Sequence, residues 1–273
     1  MFGQTAQAKL WKVGTTILVW WLFMGLLAPS MAYAGEVWVV PVKGTIEWGL
    51  AGFVRRAVDQ ATDASASAIL LEINTFGGRV DAATEIRDTI LASRVPVIAY
   101  VTERAWSAGA LIAMAAEYLV MAPGSSIGAA EPRPAEEKTI SAVRAEFEAT
   151  AQGRGRNPQI AAAMVDKDIV ISGIVGEGKI LTLSANQAAD HGFADFVAPN
   201  RSDVLRRLSY GDQNINELRP TWAEKVAGFV TQPVMSSLLL TLGFAGLVLE
   251  ILTPGFGVPG TIGTISLVLF FGG

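Results

Sequence analysis

The sequence predicts an α/β fold, a mainly parallel sheet of repeated β-α-β units, preceded by a signal segment and followed by transmembrane helices. Three observations carry that expectation. Short apolar runs alternate with amphipathic stretches between Val37 and Gln152, the order that pairs strands in parallel with helices packed on the sheet. Lys9 and Lys12 precede an apolar run from Val13 to Ala28, which ends in small residues. Val234–Leu252 is apolar almost throughout and matches the ~20 residues that a bilayer span requires.

The N-terminal run, with small residues on either side of Tyr33, reads as a secretory signal cleaved after Ala34. An uncleaved anchor is the alternative, and in both cases Glu36 onward is exported. Val37–Val42 then reads as a strand, Trp48–Thr62 as an amphipathic helix and Ala68–Asn74 as a buried strand. The series continues with a helix over Asp81–Ser93, a strand over Val97–Val101, a helix over Ser107–Glu117 and a strand over Tyr118–Met121. A further helical pattern starts near Lys138 and runs to Gln152. The expected organisation is a signal peptide over 1–34, an α/β domain over 35–200, a linker over 201–233 and a membrane region over 234–273. In that last region the turn-rich stretch Thr253–Gly260 separates Val234–Leu252 from a second apolar run, Thr261–Phe271. The second run stops at about half a span. A chain end there would leave backbone groups unpaired in lipid, so the sequence reads as a fragment or truncated product of a longer membrane protein.

Composition excludes several chemistries. There is no cysteine and one histidine, His191, so no thiolate nucleophile, disulfide framework or ordinary zinc site can form. No cofactor or metal is expected. The net charge of −4 gives no general attraction to nucleic acid. An apolar share of 51% and a mean hydropathy of +0.40 are high for a soluble protein, and the excess lies at the two ends.

What remains is a hydroxyl. Ser107 stands in Trp106-Ser107-Ala108-Gly109, after the predicted turn Asn74-Thr75-Phe76-Gly77-Gly78 and before Lys138. In a parallel sheet, reactive groups collect at the carboxyl ends of strands, and both Gly77-Gly78 and Ser107 follow strands. If the N–H groups of Gly78 and Ala108 converge they form an oxyanion hole. Equally, Ser107 could cap a helix and the glycines could turn the chain. A serine needs a base to become nucleophilic. A lysine can serve once desolvation favours its neutral form, and Lys138 opens a helical pattern whose positive end disfavours a cation. A solvated Lys138 paired with Glu136 or Glu137 is the other reading. Lys167, in an Asp-Lys-Asp cluster, and Lys179, in a Gly-rich turn, are weaker candidates. His191 reads as a helix-end or turn residue.

The segments Asn74-Thr75-Phe76-Gly77-Gly78, Ser107-Ala108-Gly109, Met121-Ala122-Pro123-Gly124-Ser125-Ser126-Ile127-Gly128-Ala129 and Gly155-Arg156-Asn157 together resemble the long form of the NfeD proteins. These are membrane-bound serine proteases of the Clp-protease class, often encoded beside stomatin-like partners. The resemblance runs from about Val37 to the end and takes in the Thr253–Gly260 loop. It implies a Clp-protease/crotonase-like fold and a Ser-Lys dyad with Ser107 as nucleophile and Lys138 as general base. It further implies oxyanion donors at Gly78 and Ala108, with Gly77 shaping the substrate-binding loop. Phe76 stands where the family has proline, which bears on loop rigidity and removes no donor. The C-terminal soluble β-barrel and further spans of many members are not in this sequence.

The resemblance therefore implies a multi-pass protein of the cell membrane with its protease domain on the extracytoplasmic side. It would cleave apolar segments of membrane-associated proteins, stomatin-like partners among them, and work as a homo-oligomer. A signal-peptide peptidase and a non-catalytic scaffold for stomatin-like proteins are the rival readings. An acyl-CoA enzyme is more remote, because an exported domain does not meet that cofactor.

Overall fold

The computed structural model describes residues 35–252 and 257–272. The expected signal peptide, 1–34, and residues 253–256 of the expected connection lie outside the described residues. The order begins β1 (Glu36–Ile46), α1 (Trp48–Asp63), β2 (Ala68–Gly78), α2 (Val80–Leu91), β3 (Val97–Trp106), α3 (Ala108–Ala115), β4 (Tyr118–Met121) and β5 (Ser126–Gly128). It continues with α4 (Glu137–Gly153), α5 (Pro158–Val165), β6 (Thr182–Ser184), α6 (Ala185–Asp190), β7 (Phe196–Val197), α7 (Arg201–Arg207), β8 (Asn214–Glu217) and α8 (Trp222–Val230). Two apolar helices, α9 (Pro233–Leu252) and α10 (Val258–Gly272), complete it.

The expected α/β architecture is present. The main path of the sheet is β6-β5-β3-β2-β1-β8, parallel except for the β5–β6 pair. Alternation along β1 and β2 explains the layers. Trp38, Val40, Val42, Ile69 and Leu71 face a core shared with α1, α2 and α3, whereas Val37, Val39 and Leu70 face a smaller one under α7. Each fully buried Ile- or Leu-sized side chain contributes about 1.5–3 kcal/mol, so neither face can slip register without exposing its apolar set.

β3 serves two neighbours. Its first half, Ile98–Val101, pairs with β4, and its end, Arg104–Trp106, pairs with β5. The strand thus changes neighbour on one side, from β4 to β5, and stays paired with β2 through Ala105 just before Ser107.

Three segments differ from the sequence expectation. Asn74-Thr75-Phe76-Gly77-Gly78 is not a turn: it extends β2, with Gly77 opposite Thr45 and Gly78 opposite Ile46 after a bulge. Its glycines signal close approach of backbones, which in sequence looks the same as turn chemistry. The stretch expected as a linker, 201–233, holds α7, β8 and α8, and β8 pairs in parallel with β1 at the sheet edge. Its polar Asn-Ile-Asn-Glu sequence gives little strand signal. Finally, α10 begins at Val258, inside the expected Pro/Gly connection, because Glu250 accepts from the N–H groups of Gly257 (2.6 Å) and Gly260 (2.9 Å) and so caps the new helix. α9 and α10 pack through glycines: a Cβ on Gly246 would lie 2.7 Å from the Cα of Gly263. Small residues of this kind let membrane helices approach closely.

Candidate active site

Ser107 lies between the end of β3 and the start of α3, with φ 52° and ψ −123°. An L-residue with positive φ is strained, by about 1–3 kcal/mol, and persists only where its surroundings fix it. Here Ser107 N–H donates to Gly128 O (2.8 Å), and Ser107 O accepts from Ala110 N–H (2.9 Å). The hydroxyl makes no capping bond to α3. Of the two readings left open by the sequence, the helix-cap role is therefore not the one observed. A serine on a strained strand-to-helix turn whose hydroxyl makes no hydrogen bond among the described residues has the geometry that presents a nucleophile.

The end of β2 closes on it from the side. Gly77 has φ 106°, and a Cβ there would fall 2.6 Å from Ser107 Cβ and 3.1 Å from its Oγ. Thr75 holds this strand end: its Oγ1 donates to Gly44 O (2.6 Å) and accepts from Gly77 N–H (2.9 Å). Arg79 N–H donates to Ile46 O at 2.9 Å. These contacts supply the rigidity that a proline ring would otherwise give. Phe76 is 67% exposed, its ring edge-to-face with Trp106 at 5.4 Å and the Arg104 guanidinium 4.5 Å above it. The Trp106 indole in turn donates to Ser126 Oγ at 2.8 Å. Gly109 is equally constrained, since a Cβ would meet Thr75 Cγ2 at 2.4 Å.

Ala108 opens α3, where an N–H has no partner within the helix, and Gly78 borders the same site from β2. Ser107 stands at the mouth of two cavities. One, about 30 Å³, is lined by Ala83, Ala108, Leu111, Val143 and Phe147 among others. The other, about 480 Å³, is open and includes Phe76, Gly78, Glu131, Arg133 and Ile180.

Lys138 is the second residue of α4 and is exposed. It lines neither cavity, and among the described residues it makes no hydrogen bond or ion pair. Lys138 is solvated, as in the alternative reading, but among the described residues it is not paired with Glu136 or Glu137. Lys167 and Lys179 are also exposed, and His191 is the exposed C-cap residue of α6. The structure thus brings Ser107, Gly77, Gly78 and Ala108 together and leaves Lys138 in solvent.

Sequence reasoning did not assign a task to Arg156. Its guanidinium, 6% exposed, donates to the carbonyls of Met114, Ala116 and Phe193 and pairs with Asp195 at 3.1 Å. Arg154 donates to Ala115 O at 2.7 Å. Burial holds the Arg156 pKa below its ordinary value, against the Asp195 charge that raises it. Two cations therefore satisfy the carbonyl end of α3, the helix whose other end presents Ser107. The available signal was the run Arg154-Gly155-Arg156-Asn157, two arginines around a glycine just before the α5 cap.

Residues 36–218 match the family described as NfeD1b, N-terminal domain. The chain belongs to that family. Residues 234–273 match the NfeD integral membrane domain, and Val234–Leu252 is long and apolar enough to cross a bilayer. Membrane protein NfeD1b of Bacillus subtilis is 40% identical over 92% of this chain and 59% of its own length. Membrane-bound protease PH1510 of Pyrococcus horikoshii is 30% identical over 93% of this chain and 61% of its own. The chain thus spans about three fifths of the curated relatives it matches. Among solved structures, the 1510-N membrane-bound stomatin-specific protease aligns with a TM-score of 0.62 and 28% identity in a serine-to-alanine mutant, covering 68% of this chain and 99% of that one. A lysine-to-alanine mutant in complex with a substrate peptide aligns with a TM-score of 0.63 and 27% identity, covering 73% and 99%.

Proposed function

We propose that this NfeD1b-family chain is a membrane-bound serine endopeptidase that cleaves apolar segments of membrane-associated proteins, stomatin-like proteins among them, through an acyl-enzyme on Ser107. The observation that carries the reading is the strained, uncapped Ser107 at the junction of two cavities. Attack by Oγ on a peptide carbonyl would place the oxyanion near the N–H groups of Gly78 and Ala108, a contribution of several kcal/mol in acyl transfer. The chain would sit in the cell membrane as a multi-pass protein with this domain on the extracytoplasmic side.

Lys138 is the base in this reading. The segment Glu131–Arg133 that walls the open cavity leads directly to α4, so a peptide or a second copy of the chain filling that cavity would bury the first turn of α4 and carry Lys138 to Ser107. The peptidase relatives, one of them solved with a lysine replaced and a substrate peptide bound, support the assignment. Lys138→Arg keeps the charge and cannot accept a proton. Product mapping on apolar peptides with the full chain in detergent is the test. Cleavage should vanish in Ser107→Ala, Lys138→Ala and Lys138→Arg alike. The exposure of Lys138 favours one rival, a non-catalytic scaffold for stomatin-like proteins, and absence of any cleavage by the wild-type chain would select it.

A further inference from the structure

α8 turns its faces the opposite way from a surface helix of a soluble domain, which buries its apolar stripe and gives its polar stripe to water. In α8 the docked side is polar or small. Arg56 holds Glu224 at 2.7 Å. The backbone at Gly228 lies against Glu47, where a Cβ would fall 2.6 Å from Oε1. Thr231, the C-cap residue, donates to the same carboxylate at 2.9 Å. Trp222, Val226 and Phe229 follow the i, i+4, i+7 spacing of one helix face, on the side away from those contacts. They are 79%, 43% and 53% exposed. A single exposed apolar residue is ordinary, but three in one stripe of a nine-residue helix mark a contact surface.

The chain itself carries this stripe to lipid. α8 ends at Val230 and α9 begins at Pro233, so Thr231 and Gln232 alone intervene. Three residue steps reach at most about 10–11 Å when fully extended. With Val234–Leu252 across the bilayer, the hydrocarbon begins at the start of α9, and the headgroup region beyond it is about 5–8 Å deep. The end of α8 is therefore held at the bilayer surface. A helix lying in that plane turns an apolar stripe toward the acyl chains, and tryptophan is enriched at this level. Lys225 is exposed on the flank of the stripe, where its ammonium can reach phosphates while its stem stays on the apolar side.

We infer that α8 is an interfacial helix whose partner is the bilayer itself: Trp222, Val226 and Phe229 insert at the boundary between headgroups and acyl chains. Through the Arg56–Glu224 pair and the contacts of Glu47, α8 then fixes the carboxyl end of β1 against the membrane surface. The α/β domain is held in one orientation instead of swinging on Thr231-Gln232, whatever the role of Ser107.

The chain has no cysteine, so a single introduced thiol takes a nitroxide at one known place. Trp222→Cys, Val226→Cys and Phe229→Cys are labelled separately in the full chain, reconstituted in vesicles of phosphatidylcholine and phosphatidylglycerol. Val226→Cys keeps both aromatic residues and is the deciding position. Asp63→Cys, at the exposed end of α1, and Leu242→Cys, on the exposed surface of α9, give the water and lipid references. Electron paramagnetic resonance reads collisions with oxygen, which concentrates in lipid, and with a nickel chelate, which stays in water. A melting temperature equal to that of the unlabelled chain shows that each variant is folded. The oxygen-to-nickel ratio at all three positions should exceed that at Asp63 by at least about threefold and approach that at Leu242. Nickel access at Val226 equal to that at Asp63 overturns the inference, and so does a raised ratio at Phe229 alone, which nearness to α9 would give without docking of the face. Labels shielded from both reagents, with broadening between copies that disappears on dilution with unlabelled chain, overturn it in favour of a second copy on this face.

Discussion

Ser107 pays for its orientation in backbone strain, and the strain is measurable. Replacing it with glycine removes the Cβ that disfavours φ 52°, so Ser107→Gly should raise stability by about 1 kcal/mol while abolishing cleavage. A thermal melt of the full chain in detergent checks the sign, and a lower melting temperature would mean the turn is not strained. The sequence could show that a serine follows a strand and precedes an apolar helix. It could not show the positive φ, which is imposed by the Gly128 carbonyl and by Gly77 packing against the Cβ. Arg156 is the opposite case, a residue distant in sequence whose effect is purely supportive. Arg156→Met would strip hydrogen bonds from Met114, Ala116 and Phe193 and leave Asp195 unpaired. The expected loss is about 3–5 kcal/mol, the usual cost of breaking a buried ion pair, read from denaturant unfolding. A loss below about 1 kcal/mol would show that the guanidinium is not holding the end of α3.

At the scale of elements, α8 joins the α/β domain to the apolar helix α9, and its docking should weaken in acid. Arg56 grips Glu224 through two bonds of 2.7 and 2.8 Å, and Gly49 lets the backbones of α1 and α8 approach so closely that a Cβ would fall 2.5 Å from Glu224 O. The hydrogen bond from Arg56 is the main reason the Glu224 pKa is lowered in the folded chain. A carboxyl lowered on folding stabilises the fold fully above its unfolded value, about 4.3, and that contribution is lost as pH falls through the folded value. Amides of α8 should therefore lose hydrogen-exchange protection below about pH 4, sooner than those of β2, and Glu224→Gln should remove that pH dependence. Protection of α8 that stays constant relative to β2 down to pH 3 would contradict the account. Long apolar or strongly periodic elements such as β1, α1, the first part of β2, α2 and α9 were legible in sequence. β5, β6, β7 and β8 were not. They are two to four residues long and exist because a longer strand offers them a register, which is tertiary information. The same holds for the end of β2, whose paired glycines look like a turn until β1 is laid beside them.

Across the whole molecule, one end of the sheet gathers the candidate nucleophile and the start of the apolar helix α9. The carboxyl ends of β1, β2 and β3 carry Glu47, Gly77-Gly78 and Ser107. Glu47 caps α1 through the N–H groups of Gly49 and Leu50 and accepts from Thr231 Oγ1 at 2.9 Å. Thr231 lies two residues before α9, the helix that suits a bilayer. The candidate nucleophile and the start of the span are thus fixed to the same edge of one sheet, a placement suited to substrates that emerge from lipid. Ser107, Gly78 and Ala108 stand out as candidates from strand ends and glycines, and Lys138 from a helix start and the resemblance, but nothing local reveals whether α4 begins in solvent or against Ser107. The account stands or falls on Ser107 as the group that is acylated. The direct measurement is to treat the full chain with a fluorophosphonate and map the modified residue by peptide mass spectrometry, with loss of peptide cleavage followed in parallel. The account predicts one adduct per chain, on Ser107, formed in step with inactivation and absent in Ser107→Ala. An adduct on another residue that tracks inactivation, or full inactivation with Ser107 unmodified, would contradict it.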